Sequence, residues 1–215
     1  METVVSGLHA SGPERMSFGP NLDARAYLLE REAGNLLLYR SAALEDDAAA
    51  VEGLGVTRQY LNHWHEAAPV NDWVVERFGA PLHVSADDAG EAAKRATVAG
   101  TFSGRQRLDD DLEIVPIPGH TPGATAYLWD TGEHRALFTG DTLIIGRNGW
   151  HAAVLASSDR ERYIESLELL RGLDFDLLVP WIAAEGRPTH AFVDRTEAER
   201  RIDEVLERVR AGSDH

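Results

Sequence analysis

The residues best suited to do chemistry in this chain are its histidines. There are nine, and there is no cysteine. Thiolate ligands, disulfides and cysteine nucleophiles are therefore excluded, so any metal must be held by imidazole and carboxylate. His63 and His65 stand two apart in Asn62-His63-Trp64-His65-Glu66-Ala67-Ala68. If that segment is extended, the two side chains share one face and both reach a single ion. Two further segments carry matching chemistry: Gly119-His120-Thr121-Pro122-Gly123, and Phe138-Thr139-Gly140-Asp141-Thr142. The first sets a histidine in a glycine-bounded turn, and the second sets a carboxylate just past a strand.

The elements that must position these side chains read as mixed α and β. Residues 1–24 read as a loose opening with Gly7, Gly12-Pro13 and Gly19-Pro20. Two apolar runs, 26–29 and 36–39, flank Glu32-Ala33-Gly34-Asn35 and predict a β-hairpin. Residues 45–52 read as a short helix stopped by Gly53 and Gly55. The strand at 57–62 delivers His63 and His65 into a loop ending at Pro69. Asn71 is placed as the cap of a helix running to Phe78, which Gly79 ends. A short strand at 82–84 and a helix at 87–96 follow, and the polar stretch 100–111 links to the second half.

Residues 112–116, 124–129 and 136–138 read as strands, with Gly119–Gly123 bridging the first two. Helical spacing of Tyr163, Ile164, Leu167 and Leu170 predicts a half-buried helix over 160–171. A buried strand at 177–179 ends at Pro180. Thr196 and Glu199 predict a capping box for a last helix with the stripe Ile202, Val205, Leu206 and Val209. No linker splits the chain, so residues 1–215 read as one domain.

Taken together, the His-x-His pair, Gly-His-Thr-Pro-Gly and Thr-Gly-Asp-Thr resemble, in order and separation, the signatures of the metallo-β-lactamase fold superfamily. The resemblance is to its glyoxalase II-like metallo-hydrolases and covers nearly the whole chain. It implies a four-layer αββα sandwich. It also implies that His63, His65, His120 and Asp141 surround one metal, a donor set that suits zinc, with iron or manganese as alternatives. The second metal of such proteins needs the D-H half of the first motif, where this chain has Ala67-Ala68. It also needs a last histidine, where this chain has Pro180-Trp181-Ile182-Ala183. Tyr39-Arg40-Ser41-Ala42 replaces the D-T-G-like segment of the first hairpin. The expectation is one zinc per chain and no second site.

Asp141 and Glu66 are the candidate catalytic carboxylates. Glu66 reads as a general base or a partner to a ligand, the alternative being a solvated loop carboxylate. His151 and His190 are candidates to replace lost ligands, or ordinary surface histidines. Trp64, Trp150 and Trp181 are placed either as walls of a substrate pocket, with His151 and His190, or as core.

The formal charge of −15 disfavours phosphate backbones and anionic membranes, which are normally bound through Lys and Arg. No apolar run is long enough to span a bilayer, and Met1-Glu2-Thr3 opens no signal sequence. A small-molecule substrate and a cytoplasmic location follow as expectations, while the oligomeric state stays open. The leading function is a mononuclear metallo-hydrolase of an ester, thioester or amide. The alternatives are an inactive pseudoenzyme that keeps the fold as a binding protein, and a mononuclear iron oxygenase using His63, His120 and Asp141.

Overall fold

The computed structural model describes residues 1–17 and 21–213. The chain divides into two compact units, Met1–Ser103 and Gly104–His215. No helix among the described residues is long and apolar enough to cross a membrane.

The first unit contains strands β1 (Glu2–Val5), β2 (Leu8–Ala10), β3 (Glu14–Arg15), β4 (Leu22–Ala24), β5 (Tyr27–Leu29), β6 (Leu36–Leu38), β7 (Arg58–Tyr60), β8 (Leu82–Ser85) and β9 (Val98–Phe102). Its helices are α1 (Ala48–Leu54), α2 (Pro69–Phe78) and α3 (Ala89–Ala92). A seven-stranded sheet runs β1-β2-β5-β6-β7-β8-β9. The hairpin half is antiparallel, and β6 to β9 are parallel. Alternation decides its faces. Ala26, Leu28 and Leu37 pack with Val51 of α1 and Val74 of α2, while Tyr27, Leu29, Leu36 and Leu38, pointing the other way, are equally buried.

The second unit contains β10 (Gln106–Leu108), β11 (Leu112–Pro116), β12 (Thr125–Asp130), β13 (Arg135–Gly140), β14 (Ile144–Gly146), β15 (Gly149–His151), β16 (Leu177–Pro180), β17 (Ile182–Ala184) and β18 (Ala191–Phe192). Helices α4 (Arg160–Arg171) and α5 (Arg195–Ala211) complete it. Its six-stranded sheet runs β10-β11-β12-β13-β16-β18. Val115, Ala126, Leu137 and Leu178 on one face pack with Tyr163, Leu167 and Leu170 of α4 and with Ile202, Val205 and Val209 of α5.

Several expectations need correcting. The opening is not loose: Gly7, at φ 78°, turns the β1–β2 hairpin, and Leu8 and Ala10 are buried. Gly19-Pro20 lies outside the described residues. The expected link at 100–111 holds the end of β9 and all of β10. The helix expected at 87–96 contracts to α3, and Asp88 at its N-cap accepts the Trp64 N–H at 3.0 Å instead of capping its own helix. Asn71 is not the cap of α2 but sits in its first turn, where its Oδ1 accepts the Ala68 N–H at 2.9 Å. The last helix is capped by Asp194, whose Oδ1 accepts the Glu197 N–H at 2.8 Å, and not by Thr196.

Candidate metal centre

In the first unit the parallel strand β7 ends at Tyr60 and aims the chain through Leu61 and Asn62 to His63. His63 is extended (φ −155°, ψ 163°), and a 3-10 turn over Trp64–Glu66 follows at once. That turn departs from the extended chain expected, yet the two imidazoles remain neighbours, with ring centroids 5.2 Å apart. His63 is buried, and its Nδ1 lies 2.9 Å from Glu66 Oε1 and 3.1 Å from Asn62 Oδ1. Asn62 Oδ1 accepts and the neighbouring Glu66 carboxylate favours a proton on that side, so Nδ1 carries the proton and Nε2 keeps its lone pair. Glu66 is fully buried, so it is no solvated loop carboxylate, and it also accepts the Asn62 N–H at 3.3 Å.

Ala67 is buried in an apolar cluster with Leu61, Leu82, Val84, Ala92 and Ala96. Ala68 is the N-cap of α2. Neither side chain has a donor atom. Trp64 is half-buried; the Arg95 guanidinium lies 4.4 Å over its ring, and His65 lies 3.8 Å from it, centroid to centroid.

In the second unit His120 sits in the loop between β11 and β12. Its Nδ1 donates to the Ala153 carbonyl at 2.6 Å. A carbonyl can only accept, so in the neutral ring the lone pair is again on Nε2. That atom faces Asp141 Oδ2 at 3.6 Å, with both side chains largely buried. Asp141 follows the last residue of β13, and Gly140 (φ 56°) turns the chain there.

Helix α4 fixes both loops. Ser166 Oγ donates to the Pro118 carbonyl at 2.7 Å, and Asp159 donates its N–H to the Gly119 carbonyl at 2.9 Å. The Tyr163 hydroxyl is shared between the Asp141 carbonyl (3.1 Å) and the Thr142 carbonyl (3.0 Å). In the sequence, Tyr163 stands out only as a buried helix position. Nothing in periodicity reveals where a hydroxyl points.

Within the first unit His63 and His65 stand side by side, and within the second His120 and Asp141 face each other. His151 and His190 join no group of three or more candidate metal ligands among the described residues. His151 is half-buried on β15, and burial first, then the Arg208 charge, holds its imidazole below the ordinary value. His190 is half-buried, with its ring edge-on to Phe192.

Trp150 belongs to the second unit's core, packed beneath α4 and α5, with Arg201 5.5 Å over its ring and Arg208 bonded to its carbonyl. That burial gives Trp150 a packing role. Trp181 is also fully buried, and its N–H donates to the Gly140 carbonyl at 3.3 Å. At Tyr39-Arg40-Ser41-Ala42, Ser41 caps a 3-10 turn and Arg40 pairs with Glu14 at 2.6 Å.

A family model described as the metallo-beta-lactamase superfamily matches residues 54–180, more than half of the chain. A search of curated proteins gives no match. Solved structures with the same fold include a metallo-beta-lactamase from Pontibacter korlensis, 16% identical, with TM-score 0.73 and 97% of each chain covered. FIM-1 from Pseudomonas aeruginosa, solved in its mono-zinc form, is 13% identical, with TM-score 0.73 and coverage of 96% of this chain and 93% of that one. GOB-18 from Elizabethkingia meningoseptica is 17% identical, with TM-score 0.63 and coverage of 89% and 88%. At these identities the likeness shows the fold alone, and it is the metallo-β-lactamase fold expected from the motifs.

Proposed function

Because this chain belongs to the metallo-β-lactamase superfamily, we propose that it is a mononuclear metal-dependent hydrolase acting on an ester, thioester or amide of a small molecule. The observation that carries this reading is the facing pair His120 Nε2 and Asp141 Oδ2. Two electron-pair donors are held 3.6 Å apart, too far for a good hydrogen bond, and largely out of water. Two ligands of one tetrahedral ion, each about 2.1 Å from it, stand about 3.4 Å apart. The pair therefore fits a cation between them. His63 and His65 complete the proposed ligand set, since the His63 tautomer already presents Nε2.

Nitrogen and oxygen donors of this kind suit zinc, and they accept iron or manganese as well. A divalent ion there supplies a Lewis acid and lowers the pKa of a water to about 7. The chain's own groups do the rest. Glu66 and the Ala153 carbonyl fix the tautomers of His63 and His120, and α4 keeps the His120 and Asp141 loops in place. Ala67 and Ala68 offer nothing to a second ion. Without it the site lacks one stabiliser of the developing oxyanion, so turnover is expected to be modest. The mono-zinc form of FIM-1 supports one detail, that this fold accommodates a single zinc.

The same two alanines favour a second reading, a binding protein that keeps the fold without catalysis. A panel of thioesters and lactones, assayed with zinc-loaded and chelator-treated protein and with His120→Ala, separates the two. Hydrolysis that needs both metal and His120 supports the enzyme. Metal binding with no turnover across the panel leaves the binding protein.

A further inference from the structure

We infer that Glu66 is a positioning and charge-compensating residue dedicated to a single-metal site. The inference rests on the one-metal reading above. Glu66 and His63 side chains are both fully buried and in contact at 2.9 Å, so the carboxylate acts through the imidazole and not on a substrate. Its first effect is orientation: Asn62 Oδ1 accepts from Nδ1 at 3.1 Å and the Glu66 carboxylate pairs with the same nitrogen at 2.9 Å, so the His63 ring is locked and Nε2 is the donor. Its second effect is basicity, because an anion in contact with the Nδ1–H side of the ring pushes electron density toward Nε2.

The third effect concerns charge. Three neutral imidazoles and Asp141 leave a bound dication with one positive charge uncompensated. Buried net charge is costly unless it is paired. Position 67, where the superfamily motif has its own carboxylate, is Ala67 inside an apolar cluster. Glu66 returns that negative charge one residue earlier, behind a ligand instead of on a second ion. A site completed in this way is neutral with one metal.

A plain structural role for Glu66 also exists, since it accepts the Asn62 N–H at 3.3 Å. Glu66→Gln separates the two. Its amide oxygen can still accept from Asn62 or His63, but the negative charge is gone. The test is the affinity of the full chain for Co2+ and Zn2+, measured by competition with a chromophoric chelator, together with the visible spectrum of the cobalt form. Metal-free melting temperature is measured alongside.

Loss of a partner of this kind costs about 10–100-fold in metal affinity. Glu66→Gln is expected to weaken binding by that factor and alter the cobalt spectrum, with little change in metal-free melting. Glu66→Asp, which keeps the charge, is expected to recover part of the affinity, and it decides the matter if the glutamine variant does not fold. Unchanged affinity and spectrum in Glu66→Gln would overturn the inference while leaving the one-metal reading intact. A wild-type chain that binds neither ion would instead remove the reading, and the inference with it.

Discussion

Tyr163 packs so closely on Gly119 that a Cβ built on the glycine would fall 2.5 Å from the Tyr163 Cα. Gly119 also holds φ 142°, a backbone conformation other residues rarely adopt. The same tyrosine reaches the Asp141 and Thr142 carbonyls with its hydroxyl. One residue of α4 therefore anchors both loops that carry the second unit's proposed ligands.

Gly119→Ala should be severely disruptive. It combines a strained φ, costing of order 1–3 kcal/mol, with a clash against backbone that no side-chain rotation relieves. Denaturant unfolding should show a large loss of stability, and metal affinity should fall. A stable variant with intact metal binding would mean that α4 is not packed on this loop as described.

Tyr163→Phe isolates the hydroxyl. Two buried carbonyls lose a donor, which costs about 1–3 kcal/mol. Urea midpoints read the change. Metal affinity should drop as well, because the backbone at Asp141 loses an anchor. An unchanged midpoint would mean the hydroxyl contributes nothing net.

Restoring the motif should not restore a second ion. In Ala67→Asp with Ala68→His, the new carboxylate enters the cluster of Leu61, Leu82 and Val84, where an uncompensated polar group costs about 1–3 kcal/mol or more. The double variant should melt lower and still bind one equivalent. Two equivalents by elemental analysis would contradict this.

Two histidines predict acid sensitivity that is independent of metal. Burial is the leading cause that lowers the pKa of both His83 and His151 from 6.5. The folded state resists protonation, so between each depressed value and 6.5 the unfolded chain binds more protons and stability rises with pH. Their cost is absent well above 6.5, grows as pH falls through it, and is complete below the folded values. Metal-free melting temperature should decline over that window, less steeply in His83→Gln. An equal slope in that variant would show that His83 contributes nothing to the decline.

The motifs and the longer elements were legible because their signals are local. Gly119–Gly123, the helix Arg160–Arg171 and the strand Leu112–Pro116 stand where glycines and apolar spacing put them. The short strands were not legible. β10 is three residues long and polar but for Leu108, so it carries no apolar alternation of its own; only its antiparallel pairing with β11 defines it. Glu66 shows the same limit at the site. Its sequence neighbourhood allowed a base, a partner or a solvated carboxylate, and only tertiary burial against His63 selects among them. Trp150 likewise had a plausible place in a pocket until α4 and α5 covered it.

The central claim is a single metal held by His63, His65, His120 and Asp141. Its most direct test is elemental analysis of protein purified without chelators and then equilibrated with excess zinc and desalted, comparing the wild type with His120→Ala. The account predicts about one zinc per chain in the wild type, the stoichiometry of a mononuclear site, and almost none in the variant. Two zinc ions per wild-type chain, or undiminished zinc in His120→Ala, would contradict it.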